Sequence, residues 1–206
     1  MSTRDVDIRK VLHQGGLQQF WEEDNSLVVD ELGICRGDRF VDIAVVNSEL
    51  IGYEIKSSRD TLERLPGQTE SYNAVLDRAT LVTAPSHLDE AQAIIPNWWG
   101  LMTAIEQGGT VHCQKVKSSS KNPNPEPLQV ALLMWKNEIL EALEELGLDR
   151  GYRSKTKKVM AERLVRGTTR EKLSVFVRKA LKNRKDWRPD EQPSQDDEPS
   201  PLLPMW

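Results

Sequence analysis

The stretch from Arg39 to Ser58, RFVDIAVVNSELIGYEIKSS, constrains the chain most. It reads as two apolar strands joined by a short turn, yet it carries Asp42, Glu54 and Lys56 inside the apolar runs. If Asn47, Ser48 and Glu49 form a three-residue hairpin loop, Val46 pairs with Leu50, Ala44 with Gly52, and Asp42 falls opposite Glu54. Strand side chains alternate between faces. Val41, Ile43 and Val45 are therefore expected on one face with Ile51, Tyr53 and Ile55, and Asp42, Glu54 and Lys56 on the other. Two carboxylates then face each other about 5 Å apart at Cβ, which destabilises the pair unless something positive sits between them. A divalent cation resolves that repulsion. A loop of different parity would separate the acids, so the expectation hangs on register.

Around this hairpin the text alternates between helical and extended spacing. In DVDIRKVLHQGGLQQF, Val6, Val11, Leu12 and Leu17 recur at helical intervals, with Gly15 and Gly16 expected to end or break the helix. SLVVDELGI reads as a strand. After SSRD, where Ser58 or Asp60 is a candidate cap, TLERLPGQTESYNAVLDR predicts a helix in two pieces divided by Pro66 and Gly67. ATLVTAP predicts a short buried strand, HLDEAQAII a short helix, and WGLMTAI and TVHCQKVK two closing strands around EQGG. Beyond the Ser-, Asn- and Pro-rich run KSSSKNPNPEP, LQVALLMWKNEILEALEEL predicts one amphipathic helix ended by Gly147. KTKKVMAERLVR and REKLSVFVRKALKNR predict two more, with Thr168 as a candidate cap between them. The expected organisation is a core over residues 1–116, a linker or surface loop over 117–127, a basic helical region over 128–188 and an acidic, Pro-rich tail over 189–206 whose composition predicts disorder.

Charge is segregated along the chain, with the boundary at Asp149. Residues 1–149 hold 13 lysines and arginines against 24 acids, residues 150–188 hold 15 against three, and the tail holds five acids and no base, so a net −4 hides an acidic body and a basic arm. A polyanion partner would use such an arm, and so would an acidic protein face packed against it. No apolar run approaches the roughly 18 residues that span a bilayer, and MSTRDVDIRK lacks the apolar stretch of a secretory signal, so a cytoplasmic protein without membrane contact is expected. Cys35 and Cys113 have no metal-site spacing, nor have His13, His87 and His112. The adjacent tryptophans of NWWG are more often core than a base-stacking platform. No Walker A sequence, dinucleotide fingerprint or nucleophile elbow is present, which excludes a nucleotide-driven motor built on them.

The order helix, three strands, helix, strand, with Asp on the second strand and Glu-x-Lys on the third, resembles the PD-(D/E)XK nuclease superfamily. The motif stands here as Asp42, Glu54, Ile55 and Lys56, with Val41 where the superfamily's name has Pro. In detail, VVDELGICRGDRFVDIAVVNSELIGYEIKSSRDTLERLPGQTESY is similar to a family of small bacterial and phage-borne proteins assigned to that superfamily. The resemblance implies an α/β fold with a restriction-endonuclease-like core, αβββαβ with a mixed central sheet flanked by helices, and a carboxy-terminal helical extension. It implies a metal-dependent nuclease that hydrolyses phosphodiester bonds in DNA. Asp42, Glu54 and the Ile55 carbonyl would ligate Mg²⁺ or Mn²⁺, and Lys56, on the same face as Glu54, would hold a water or stabilise charge on the transition state. Glu31 matches the upstream acid and would reach a second metal or orient a water. Gln68 and Tyr72, four apart, match a Gln-x-x-x-Tyr pair that flanks the metal site in exonuclease-like members. The basic helices from Arg150 to Arg188 would grip backbone phosphates in a salt-sensitive way. Nothing in these residues reads sugar type, so RNA stays open, as does the oligomeric state, a homodimer included. The alternative is a catalytically inactive nuclease-like module that binds DNA or a protein partner.

Overall fold

Six strands form one mixed sheet in the computed structural model, which describes residues 3–184. They lie in sequence order: β1 Leu27–Ile34, β2 Arg39–Val46, β3 Leu50–Lys56, β4 Arg78–Thr83, β5 Gly100–Gln107 and β6 Thr110–Lys117. The first three make an antiparallel meander, β3, β4 and β5 run parallel, and β6 returns antiparallel. Parallel neighbours need a crossover, and α3 (Leu65–Val75) and α4 (Leu88–Ile94) supply the two that this order requires. Gly108 and Gly109, both at positive φ, close the last hairpin as a two-residue turn.

Both faces of the sheet are covered. On one lies the amino-terminal segment, α1 (Asp5–Val11), a π-helical turn over Leu12–Gly16 and α2 (Gln18–Glu22). Ile8, Leu12 and Leu17 bury there against Val28, Ile43, Val45, Ile55 and Val82. The helix ends at Gly16, as the two glycines predict, after widening to a π-helical turn over Leu12–Gly16. On the other face α3 shares a core with α5 (Pro127–Ala131), α6 (Lys136–Glu145), α7 (Lys157–Gly167) and α8 (Arg170–Asn183), against Val29, Leu32, Val41, Ala44 and Leu81. The Ser- and Pro-rich run between β6 and α5 is tied to this layer by Asn122, 4% exposed, whose amide donates to the Asn73 and Leu76 carbonyls at 2.8 Å each. Gly52 lies where a Cβ would stand 2.5 Å from Leu76 Cδ1 and 3.0 Å from Val41 Cγ1, so the end of α3 seats directly on β3.

Several local expectations are corrected. Pro66 stands in the first turn of a single α3 and opens the helix, where a missing N–H costs nothing. Neither Ser58 nor Asp60 caps it: Asp60 closes the preceding turn by accepting the Ser57 N–H at 2.8 Å and hydroxyl at 2.5 Å. The run after Pro127 forms two helices, because the Trp135 N–H donates to Glu138 Oε2 at 2.6 Å and starts α6 afresh. Thr169, not Thr168, caps α8, accepting from the Lys172 N–H at 3.3 Å. Trp98 and Trp99 are buried, and Trp99 Nε1 donates to Asn73 Oδ1 at 2.9 Å. Cys35 and Cys113 are free. Among the described residues no helix is long and apolar enough to cross a membrane. The tail expected over 189–206 and the end of the basic region lie outside the described residues.

Candidate active site

The hairpin register follows from the loop. Val46 pairs with Leu50, Val45 with Ile51, Ala44 with Gly52 and Ile43 with Tyr53, and the Asn47 side chain braces the turn by accepting the Glu49 N–H at 2.9 Å. The ladder stops there, one step before Asp42 and Glu54. Asp42 Oδ2 instead accepts the Ile55 N–H at 2.7 Å, so a side chain takes over from the main chain. The β1–β2 ladder has a matching defect: Asp30 pairs with Ile43 and Leu32 with Val41, while Glu31, opposite Asp42, is skipped. Glu31 sits at φ 56°, a left-handed conformation that L side chains other than Asn and Asp rarely adopt. The defect shifts the alternation of both strands. Val41 therefore packs with Ala44 and Val46, and not, as alternation predicts, with Ile43 and Val45. On β3 the alternation holds: Ile51, Tyr53 and Ile55 pack on the α1 side.

Glu54 is the centre of the cluster, 1% exposed. Its Oε1 accepts from Lys56 Nζ and from Gln68 Nε2, each at 2.5 Å, and its Oε2 accepts from the Tyr72 hydroxyl. Lys56 is itself 5% exposed, so the ion pair is screened from water. The Gln-x-x-x-Tyr spacing on α3 brings both side chains down on one carboxylate, as four-residue spacing on a helix face allows. Trp99 stacks on the Tyr72 ring at 5.5 Å and 21° and fixes its plane. Burial, then the charges of Glu54 and Asp42, raise the Tyr72 hydroxyl well above its ordinary value, so it stays a donor. Asp42 is pushed up to about 7, chiefly by burial and then by the Glu54 charge, against the Ile55 N–H bond and the charges of Lys56 and Arg9. Five sequence-predicted residues, Asp42, Glu54, Lys56, Gln68 and Tyr72, thus share one environment.

Glu31 does not join them by contact. Its carboxylate is exposed, and among the described residues it forms no hydrogen bond or ion pair. Glu31→Asn, which suits left-handed backbone, is expected to gain up to about 1 kcal/mol, or about 2–4 °C in a chain of this size, in a thermal melt. A fall in melting temperature would mean the side chain matters more than the backbone.

The donor chemistry suits a hard divalent cation: two carboxylates, Asp42 held protonated more readily by the Glu54 charge, with the main-chain carbonyl of Ile55 directly after Glu54 in sequence. Among the described residues no group of three or more His, Cys, Asp and Glu side chains is arranged to hold a metal, so that carbonyl and water would complete the set. Lys56 supplies the counter-charge on Glu54.

Sequence reasoning missed the other side of Asp42. Arg9 of α1 donates through Nη1 to the Asp42 carbonyl oxygen. Its guanidinium also lies 3.4 Å from Asp5 Oδ1, 3.3 Å from Asp30 Oδ1 and 3.8 Å from Asp42 Oδ1. His13 Nε2 adds a contact to Asp30 Oδ1 at 2.9 Å. In the sequence Arg9 is one charge among several on an amphipathic helix, and nothing local marks it.

Residues 9–191 match the family described as Bacteriophage P4 protein cII. Protein cII of Enterobacteria phage P4 is 22% identical over 160 residues, which cover 78% of this chain and 60% of that protein, so the chain spans about 60% of the length of this curated relative. A solved structure of a protein of unknown function from Silicibacter pomeroyi is 17% identical, covering 72% of this chain and 97% of its own, with a TM-score of 0.42. The family match takes in both layers of helices and every residue of the Glu54 cluster, and the chain belongs to the bacteriophage P4 protein cII family.

Proposed function

We propose that the chain is a divalent-metal-dependent deoxyribonuclease with a restriction-endonuclease-like core of the PD-(D/E)XK type. The observation that carries this reading is the convergence of Lys56, Gln68 and Tyr72 on the buried Glu54 carboxylate beside Asp42. A bound Mg²⁺ or Mn²⁺ supplies Lewis acidity toward a phosphodiester and lowers the pKa of water. Asp42, Glu54 and the Ile55 carbonyl hold that cation. Lys56 keeps a positive charge at the same carboxylate, ready to stabilise charge that grows on the phosphoryl oxygens. Gln68 and Tyr72 fix the orientation of Glu54, and Glu31 serves as an outer acid at the rim. In the basic region Arg153, Arg166, Lys179 and Arg184 are ion-paired with acids of the protein, whereas Arg150 and Lys155, in the loop before α7, and Lys158 and Arg170, on α7 and α8, are exposed and suit backbone phosphates.

One observation favours a second reading. Both Glu54 oxygens already accept protein donors, as they would in a nuclease-like module that binds DNA or a protein partner without cutting. Linear, nicked, single-stranded and branched DNA, with an RNA arm, incubated with the protein and Mn²⁺ or Mg²⁺, separates the two. Metal-dependent cleavage is expected, and Lys56→Ala and Glu54→Ala are expected to lower its rate by roughly 10²-fold or more. Cleavage indifferent to both substitutions would remove the site. DNA binding without cleavage, and without Mn²⁺ binding in a calorimetric titration, would establish the module.

A further inference from the structure

The sheet defect at Asp42 leaves main-chain groups that the ladder does not serve. Pairing with β3 ends at Ile43 and Tyr53, and pairing with β1 omits Glu31 and Asp42. Main-chain polar groups in a buried setting must find partners. Here the Ile55 N–H goes to the Asp42 carboxylate and the Asp42 carbonyl goes to Arg9. Arg9 comes from α1, on the opposite face of the sheet from Gln68 and Tyr72, and its side chain is 18% exposed. Its guanidinium reaches the carbonyl and the carboxylates of Asp5, Asp30 and Asp42 together, a reach that depends on a planar fork of donors.

Resting on the nuclease reading for its catalytic consequence, we infer that Arg9 is the positioning residue for Asp42, and that the amino-terminal helix completes the site from behind the sheet. By holding the Asp42 carbonyl, Arg9 fixes the peptide from which the carboxylate projects. The carboxylate, through Oδ2, then fixes the Ile55 peptide, whose carbonyl belongs to the same cation site. The chain of support runs from Arg9 to Asp42 to Ile55, and Oδ1 of Asp42 lies 3.8 Å from Arg9 Nη2. Arg9 acts through Asp42 and touches no reacting atom.

Lysine keeps the charge at position 9 but not the fork, whereas methionine loses both. If positioning is the role, Arg9→Lys and Arg9→Met are both expected to lower kcat by about 10- to 100-fold at saturating Mn²⁺, as loss of outer support does at metal sites, with substrate KM changed by less than about twofold. A second readout needs no activity. In the full chain, hydrogen exchange of the Ile55 amide, followed by NMR without metal, is expected to quicken by roughly tenfold in Arg9→Lys while the amides of β4 and β5 keep their protection. Unchanged Ile55 exchange in Arg9→Lys, or wild-type kcat in that variant, overturns the inference. Should the wild-type protein neither cut nor bind Mn²⁺ while Ile55 exchange still quickens, the nuclease reading falls and the support of Asp42 by Arg9 stands. Arg9→Lys carries the decision if Arg9→Met does not fold.

Discussion

Lys56→Met is expected to destabilise the fold by about 3–5 kcal/mol, because it leaves the Glu54 carboxylate buried without its counter-charge. Glu54 is 1% exposed and the ammonium lies 2.5 Å from it, so water cannot replace what the substitution removes. Gln68 and Tyr72 still donate, but two neutral hydrogen bonds do not balance an ion in this setting. The double variant Glu54→Gln/Lys56→Met removes both charges and keeps an acceptor for the Tyr72 hydroxyl. It is expected to recover most of the lost stability, since a neutralised buried pair is often no worse than the pair itself. Urea melts of wild type, both single variants and the double variant give the coupling directly. If Lys56→Met melts within about 1 kcal/mol of wild type, the pair is not desolvated as described. Cleavage is expected to be lost in all three variants, so stability and chemistry part company in the double variant.

Asp42→Asn is expected to do the opposite at neutral pH and stabilise the fold. The Asp42 carboxyl is pushed up to about 7 from an ordinary 3.8, by burial first and the Glu54 charge second. Below pH 4 the group is protonated in folded and unfolded chains alike and contributes no difference. Between about pH 4 and 7 the unfolded chain has lost its proton while the folded one retains it, so folding takes up a proton and stability falls as pH rises. Above pH 7 the full cost is present, at most about 4 kcal/mol from the size of the shift. Asparagine removes that cost and still offers an oxygen to the Ile55 N–H. The gain of Asp42→Asn over wild type should therefore be near zero at pH 4, grow through pH 6 and level off above pH 7. Thermal melts across that range check it, and a gain independent of pH would mean that the Asp42 carboxyl is not raised in the folded chain. Mn²⁺ should raise the melting temperature of wild type at pH 8 and leave Asp42→Asn little changed.

The hairpin was legible because loop length and strand alternation together leave one register, and the Val46–Leu50 pair follows from counting. The Gln68 and Tyr72 contacts were legible for a similar reason, as helix spacing fixes which residues share a face. Val41 was not. Its packing depends on a left-handed residue at Glu31, and glutamate is not a residue type that announces such a backbone. Pro66 shows a different limit, since a proline that would divide a helix in its interior is harmless in its first turn, and only the true start at Leu65 distinguishes the two. The break between α5 and α6 was hidden because apolar spacing continues through it, and its cause is a cap made by the Glu138 side chain. Arg9 could not be found at all from local text: its partners Asp30 and Asp42 lie on other elements, and no periodicity encodes that meeting.

The seat of α3 on β3 at Gly52 has a bearing on how such a centre can be inherited. With Leu76 Cδ1 2.5 Å and Val41 Cγ1 3.0 Å from where a Cβ would stand, any larger residue there forces the buried Leu76 side chain at the end of the helix to give way. Gln68 and Tyr72 ride on that helix, so whatever strain the Leu76 side chain does not absorb is passed to their contacts with Glu54. The smallest side chain in the hairpin, two positions before the acid, therefore acts as a spacer for the polar cluster. Descendants that kept all the charged residues but filled that gap would carry the motif on a disturbed seat.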